Sequence, residues 1–301
     1  MLRIIENRKI FLTISAIAVI AALAAIGVFR LRQGIDFSGG TLMTFSIKDE
    51  RPGASLVQEA LVNDLKLLDA RVNYDAQNDQ FLVRVKSLNE EEHQAVLKAL
   101  EQKFPSLEEK SFQSIGPSVG EELRKKSLIA IVLVLIGISL YIAFAFRKVF
   151  RPVSSWKYGW ITLITLGHDV VIPAGLLAIL GKFSGVEIDG NFVVALLVIM
   201  GFSVHDTIVV FDRIRENLLL DRSKSDFGAV VNTSVNQTLS RSINTSLTLI
   251  FVLFALYVVG PLNLRFFVLT LLVGVTTGIY SSIFVASPLL YAWQRWSAKA
   301  S

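Results

Sequence analysis

Residues 127–146 read SLIAIVLVLIGISLYIAFAF, twenty positions without a charge and mostly apolar. As a helix such a run is about 30 Å long, the thickness of the hydrocarbon core of a bilayer. Five further blocks, near residues 10–29, 159–180, 192–211, 243–259 and 266–290, have the same character. In hydrocarbon every backbone N–H and C=O needs a partner within its own segment, so each block is predicted to be a helix. The composition agrees: of 301 residues 52% are hydrophobic, 18% are charged and none is cysteine. This excludes a disordered tail, a disulfide scaffold and a purely soluble globule. The expected class is a polytopic α-helical membrane protein with six spans.

Orientation follows from aromatic belts and basic loops. Trp156, Tyr158 and Trp160 precede the third block, and Tyr291, Trp293 and Trp296 follow the sixth, as interfacial anchors do. Arg147, Lys148, Arg151 and Lys157 form a loop without acids, which the positive-inside rule places in the cytoplasm. The N-terminus, with Arg3, Arg8 and Lys9, and the C-terminus, with Arg295 and Lys299, are then cytoplasmic too. Arg124, Lys125 and Lys126 oppose the rule on the expected outer side. Ala22-Leu23-Ala24 resembles a signal cleavage site. The block's twenty residues exceed the usual apolar region of about 7 to 15, so it reads as an uncleaved anchor.

Three parts are expected: residues 1–29, a cytoplasmic start and first span; 30–122, an extracytoplasmic domain; and 123–301, the remaining spans. The middle part carries 11 Lys/Arg against 16 Asp/Glu, a net −5, while the rest is +10. With its polar domain acidic, the chain is not expected to bind nucleic acid. Thr41 to Ile47, Arg71 to Tyr74, Phe81 to Val85 and Lys110 to Ile115 read as strands. Ala54 to Leu68, with apolar Leu56, Ala60, Leu61, Leu65 and Leu68, and Glu90 to Phe104 read as helices. The order βαββαβ predicts an α+β ferredoxin-like sandwich with a four-stranded antiparallel sheet. His93, in an acidic helix start, is expected to be solvated, and the blander reading of the domain is a stable plug.

Ionisable residues at membrane depth are costly, so each is a functional candidate. Asp169, beside His168, lies about 15 Å into the third span, and Asp206, beside His205, about 8 Å from the cytoplasmic end of the fourth. Either could instead be a buried, hydrogen-bonded structural residue. Gly201, Ser203 and Thr207 leave room beside Asp206 for a partner helix. Asp212 and Arg213 are expected as an interfacial ion pair. Ser234, Gln237, Arg241, Asn244 and Thr248 recur at intervals of three and four, one stripe of a helix. Since the stripe runs into Leu249 to Val259, it is expected to face the bundle interior with Arg241 at the depth of Asp206. There is no P-loop, no HExxH and no cysteine-based metal site, and no metal is expected. The N-x-[ST] matches at Asn232, Asn236 and Asn244 fall on the cytoplasmic side and carry no weight.

Four stretches in this order are more specific than any one of them. They are Gly34-Ile35-Asp36-Phe37-Ser38-Gly39-Gly40-Thr41, His168-Asp169, Asp206 through Asn217 (DTIVVFDRIREN), and Ser240-Arg241-Ser242-Ile243-Asn244-Thr245-Ser246. Over nearly its whole length the chain resembles the SecF-type subunits of the SecD/SecF family, in the resistance-nodulation-division superfamily. The resemblance implies a subunit of the bacterial inner-membrane Sec protein translocase, driven by the proton motive force, that promotes late preprotein translocation and release. It implies a non-enzyme without cofactor, and leaves open whether Na⁺ replaces H⁺. It implies as partners SecD, which supplies a second six-span half, the SecYEG translocon, a YidC-type insertase, the unfolded preprotein and the lipid bilayer. Carried over residue by residue, Asp206 bears the proton, Arg241 is its cationic partner and Asp169 joins the relay. His205, Thr207, Asn244, Gln237 and His168 form the polar lining, and Asp36, Gly39 and Gly40 a hinge or strand start. A stand-alone small-molecule exporter and a passive translocon scaffold are the alternatives.

Overall fold

The structure, a computed structural model, describes residues 1–48, 52–75, 79–146, 153–220 and 226–300. Its elements are α1 (Arg8–Phe29), the single turn α2 (Ile35–Ser38), β1 (Gly40–Ile47), α3 (Ala54–Glu59), β2 (Arg71–Asp75), β3 (Gln80–Val85), α4 (Glu90–Lys103) and β4 (Leu107–Ile115). Then come α5 (Pro117–Ala145), α6 (Ser155–Ser184), α7 (Gly190–Leu220), α8 (Phe227–Val259), α9 (Arg265–Ser281) and α10 (Ser287–Ala300). Two compact units result, Gln33–Leu128 and Met1–Arg32 with Ile129–Ser301. The basic tract Arg147, Lys148 and Arg151 lies outside the described residues.

In the smaller unit the strands form one antiparallel sheet in the order β2-β3-β1-β4. Together with α3 and α4 this is the βαββαβ arrangement. Alternation decides its inner face: Met43, Phe45 and Ile47 of β1 and Phe81, Val83 and Val85 of β3 are buried with Val57, Leu61, Val96 and Leu100 of the helical segments. Helix α4 starts at a capping box, in which Asn89 accepts from the Glu92 N–H and Glu92 accepts from the Asn89 N–H.

Two side-chain expectations are corrected here. Leu56 is 53% exposed because its neighbour Val57 takes the inward position of α3, and Leu68 is 80% exposed because the chain passes through a π-turn at Ala60–Asp64 and leaves the helix through Lys66 at φ +55°. Ala60 and Leu61 are in the core as expected, and Val57 joins them there. His93 is buried rather than solvated: it shares the sheet-facing row of Val96 and Leu100, its Nε2 lies 2.7 Å from Glu109 Oε1, and its ring stacks on Phe112.

Among the described residues six helices are long and apolar enough to cross a membrane, the sixth formed by α9 and α10 joined through a π-turn at Ser282–Ala286. Most outrun their apolar blocks. Helix α7 has 31 residues and α8 has 33, roughly 46 and 50 Å against about 30 Å of hydrocarbon. The basic run that opposed the positive-inside rule is partly neutralised, since Lys125 and Lys126 pair with Glu121 and Glu122 one turn earlier in α5.

Small residues set the helix spacing. A Cβ at Gly175 of α6 would lie 2.5 Å from Ala22 Cβ of α1, and one at Gly278 of α9 would lie 3.3 Å from Ser203 Cβ of α7. Gly274 and Gly278 form a G-x-x-x-G pair on α9, which lets helix backbones approach in the absence of a hydrophobic driving force. At one end of the bundle Tyr158 stacks on Phe146 and meets Phe211 edge-on. There the N-terminal strap is tied to α8. Asn232 Oδ1 accepts from the Ile4 N–H at 2.9 Å, Asn236 Oδ1 accepts from the Leu2 N–H at 2.7 Å, and both amides donate to the Leu2 carbonyl. Ile4 and Ile5 are thereby buried among Phe211, Ile214, Val231 and Leu290. Two of the three apparent N-x-[ST] asparagines are thus backbone clamps.

Gly175→Ala is expected to force α1 from α6 and to cost about 1–3 kcal/mol. Gly137→Ala on α5, whose added Cβ meets nothing within 4 Å, is expected to be neutral; thermal melts of the two variants in detergent compare them.

Candidate functional site

Two buried aspartates occupy the interior of the bundle with different surroundings. Asp169 is fully buried on α6. Its Oδ2 accepts hydrogen bonds from Ser203 Oγ of α7 and from Ser281 Oγ of α9, the latter at 2.6 Å, and its Oδ1 faces His168 Nδ1 at 2.8 Å. One carboxyl thus joins three helices. Pro173, one turn on, has no N–H to give to the Asp169 carbonyl, so the α6 ladder is interrupted at this level. His168 is 6% exposed and its Nε2 is buried without a partner.

Asp206 is 2% exposed and sits near the middle of α7. Its hydrogen bond comes from Ser246 Oγ of α8 at 3.2 Å, and His205, whose side chain is 66% exposed, brings Nδ1 to 4.0 Å from Oδ1. Thr207 shares a 2.9 Å hydrogen bond with Ser282 Oγ at the start of the π-turn and also donates to the Ser203 carbonyl. The two carboxyls thus stand at the same turn of α7: Ser203 serves Asp169, Thr207 donates to the Ser203 carbonyl, and Asp206 precedes Thr207 in sequence.

The expected polar stripe on α8 is corrected. Gln237, Arg241, Asn244 and Thr248 are exposed on the surface of this chain, and the buried stripe is Ser234, Thr238, Ser242 and Ser246. An i,i+4 row of hydroxyls, not the i,i+3/i+4 row of larger polar groups, faces α7. Arg241 does not pair with Asp206; it lines a polar cavity of about 320 Å³ with Val209, Asp212, Arg213, Glu216, Gln237 and Thr238. Nor do Asp212 and Arg213 pair. Arg213 binds Glu216 and Gln237, while Asp212 meets Arg215 at 3.4 Å. Gln237 also accepts from Asn217, so it ties α8 to α7.

In the smaller unit, Gly39 and Gly40 have φ of +69° and +121°. A Cβ on Gly39 would stand 2.8 Å from Pro117 Cα, and one on Gly40 3.0 Å from the Val85 carbonyl oxygen. Asp36 lies half-buried in the turn before them. Arg84 holds this turn by donating to the Gln33 carbonyl and to Ser38 Oγ. The pair is a packed strand start, without the free space of a loose hinge. Ser246, Ser281 and Ser282 are the residues whose contacts sequence reasoning did not find; the regular serine spacing on α8 was the available signal.

Such a fold and interior define a class: a six-span membrane protein with an α+β domain between its first two spans and two buried acidic groups inside the bundle. Residues 95–296 match the family described as protein export membrane protein SecD/SecF, C-terminal, and residues 24–49 match the SecD/SecF GG motif. The chain belongs to the SecD/SecF family. It is 42% identical to the protein translocase subunit SecF of Thermobaculum terrenum, with 98% of this chain and 95% of that one covered. It is 37% identical to the subunit of the same name from Anaerolinea thermophila, over 98% and 94%. Among solved structures it resembles the crystal structure of SecDF, a translocon-associated membrane protein from Thermus thermophilus, with a TM-score of 0.80 and 32% identity. That match covers 97% of this chain but only 38% of SecDF.

Ser203→Ala and Ser281→Ala each remove a donor from the buried Asp169 carboxyl, an expected loss of about 1–3 kcal/mol. Because both serve one oxygen, the double variant should depart from additivity by about 0.5 kcal/mol or more in a denaturation cycle.

Proposed function

We propose that this chain is the SecF half of a protein-export device, working with a SecD-type partner beside the SecYEG translocon and a YidC-type insertase. It spends the proton motive force on late movement and release of an unfolded preprotein and catalyses no covalent chemistry. The observation that carries the reading is Asp206, a carboxyl buried within a spanning helix and met by a single hydroxyl. When ionised, Asp206 accepts from Ser246; when protonated, it can donate. A proton arriving or leaving thus changes how α7 is held against α8, and a two-state packing can follow it. One charge crossing 100 mV supplies about 2.3 kcal/mol, roughly a fifty-fold bias.

Asp169, satisfied by three neighbours, acts as the fixed reference for this movement. The exposed stripe of Gln237, Arg241, Asn244 and Thr248 is costly against lipid, which supports a second bundle covering it. In that assembly Arg241 supplies the cation of the relay from its polar cavity. The domain of residues 30–122 lies outside the cytoplasm and both termini lie inside.

Asp206→Asn should leave membrane abundance and association with the SecD-type partner normal, and abolish gradient-dependent export in membrane vesicles. Full export would sink the proton role and favour the scaffold, while repeating the assay with a sodium gradient identifies the coupling ion. Orientation is checked on the cysteine-free background. An impermeant maleimide added outside should label Leu68→Cys and spare Leu219→Cys at the far end of α7.

A further inference from the structure

Ser242 is 1% exposed, and its hydroxyl is buried without a hydrogen-bond partner. A hydroxyl in that state calls for a partner, most simply an internal water. Its neighbours on the same row all meet α7. Ser234 accepts from Asn217 of α7, Thr238 lines the polar cavity beside Val209 and Arg213 of α7, and Ser246 donates to Asp206 of α7. Ser242 lies one turn from Thr238 and one turn from Ser246, between two residues that face the same helix. The other hydroxyls near it are engaged, since Thr238 bonds back to the Ser234 and Val235 carbonyls.

We propose that Ser242 is the relay step by which a proton passes between Asp206 and the polar cavity walled by Asp212, Glu216, Gln237 and Thr238. The inference rests on the proton-bearing reading of Asp206 and adds the route by which that proton leaves the buried site. Thr238 and Ser246 are eight residues apart, about 12 Å along the helix, too far for one transfer. Residues four apart place their Cβ atoms about 6 Å from each other, so adjacent hydroxyls of the row connect through one water rather than directly.

Each transfer balances. Protonated Asp206 gives its proton to the Ser246 oxygen while the Ser246 hydroxyl proton moves to a water. That water protonates Ser242 Oγ as the Ser242 proton moves to a second water, which delivers it to the cavity and to the carboxylate of Asp212 or Glu216, each about half-exposed in this chain. Every hydroxyl ends with one proton, and only O–H bonds change. The side chains of the route, Asp206 on α7 and Ser246 and Ser242 on α8, all belong to this chain.

The test uses inverted membrane vesicles holding the chain with its SecD-type partner. Gradient-dependent export and proton flux are read in H₂O and in D₂O for Ser242→Ala, Ser242→Thr and Asp206→Asn. Ser242→Ala should assemble normally, lose flux and export together by about tenfold, and show a larger D₂O effect, because proton transfer then limits the cycle. Ser242→Thr, which keeps the hydroxyl, should recover most of the rate. If Ser242→Ala matches the unaltered chain while Asp206→Asn is silent, the route through Ser242 is wrong and the Asp206 reading stands. If Asp206→Asn also exports fully, both fall. A Ser242→Ala chain that fails to assemble, or a Ser242→Thr chain no better than Ser242→Ala, assigns Ser242 to packing and overturns the relay.

Discussion

Everything in the bundle depends on the demand that a polar group in hydrocarbon find its partner within the protein. The backbone meets it by being helical. The side chains meet it with hydroxyls: Ser203 and Ser281 on Asp169, Ser246 on Asp206, and Thr207 on Ser282. Serine and threonine suit this task because each is small enough to lie between helices packed as closely as α7 and α9 are at Gly278. A larger donor would separate the helices it was meant to join.

The two aspartates show how the same residue takes different parts. Asp169 joins three helices and sits where Pro173 interrupts the ladder of α6, so the side chain restores a connection that the backbone lacks. Asp206, held by one hydroxyl and followed by Thr207, which joins α7 to the π-turn, has bonding capacity to spare. The π-turn at Ser282–Ala286 lies directly after Ser281, so the irregular backbone of the sixth span coincides with both carboxyl environments. Such turns recur at functional positions in helices.

Much of this was legible in the sequence, and the misses have physical causes. Six apolar blocks and two βαβ patterns survive translation into structure because period and length are strong signals. The helix ends do not: α7 and α8 continue well past their apolar segments, because a helix satisfies its own backbone in water as it does in hydrocarbon and need not stop where the apolar residues do. The phase of α8 departs from expectation because the large polar groups of Gln237, Arg241 and Asn244 dominate the polarity pattern, whereas the buried row consists of hydroxyls that hydropathy scores as nearly neutral. His93 looked solvated because its sequence neighbours are acidic, yet one of its partners, Glu109, lies sixteen residues away on β4. The Gly39-Gly40 pair is legible in the sequence, but Pro117, which packs against Gly39, is remote from it along the chain and so leaves no local signal.

The clamp formed by Asn232 and Asn236 on residues 2–5 also orders events in time. The strap is made first, but the helix that holds it is made more than two hundred residues later. At synthesis rates of about 5–20 residues per second that interval is roughly 10–50 s. Ile4 and Ile5 must spend that time without their final cover, and the first span can be inserted but not finished at its own end. Closure of the strap therefore reports that α8 has arrived, and belongs among the last steps of assembly although it involves the first residues of the chain.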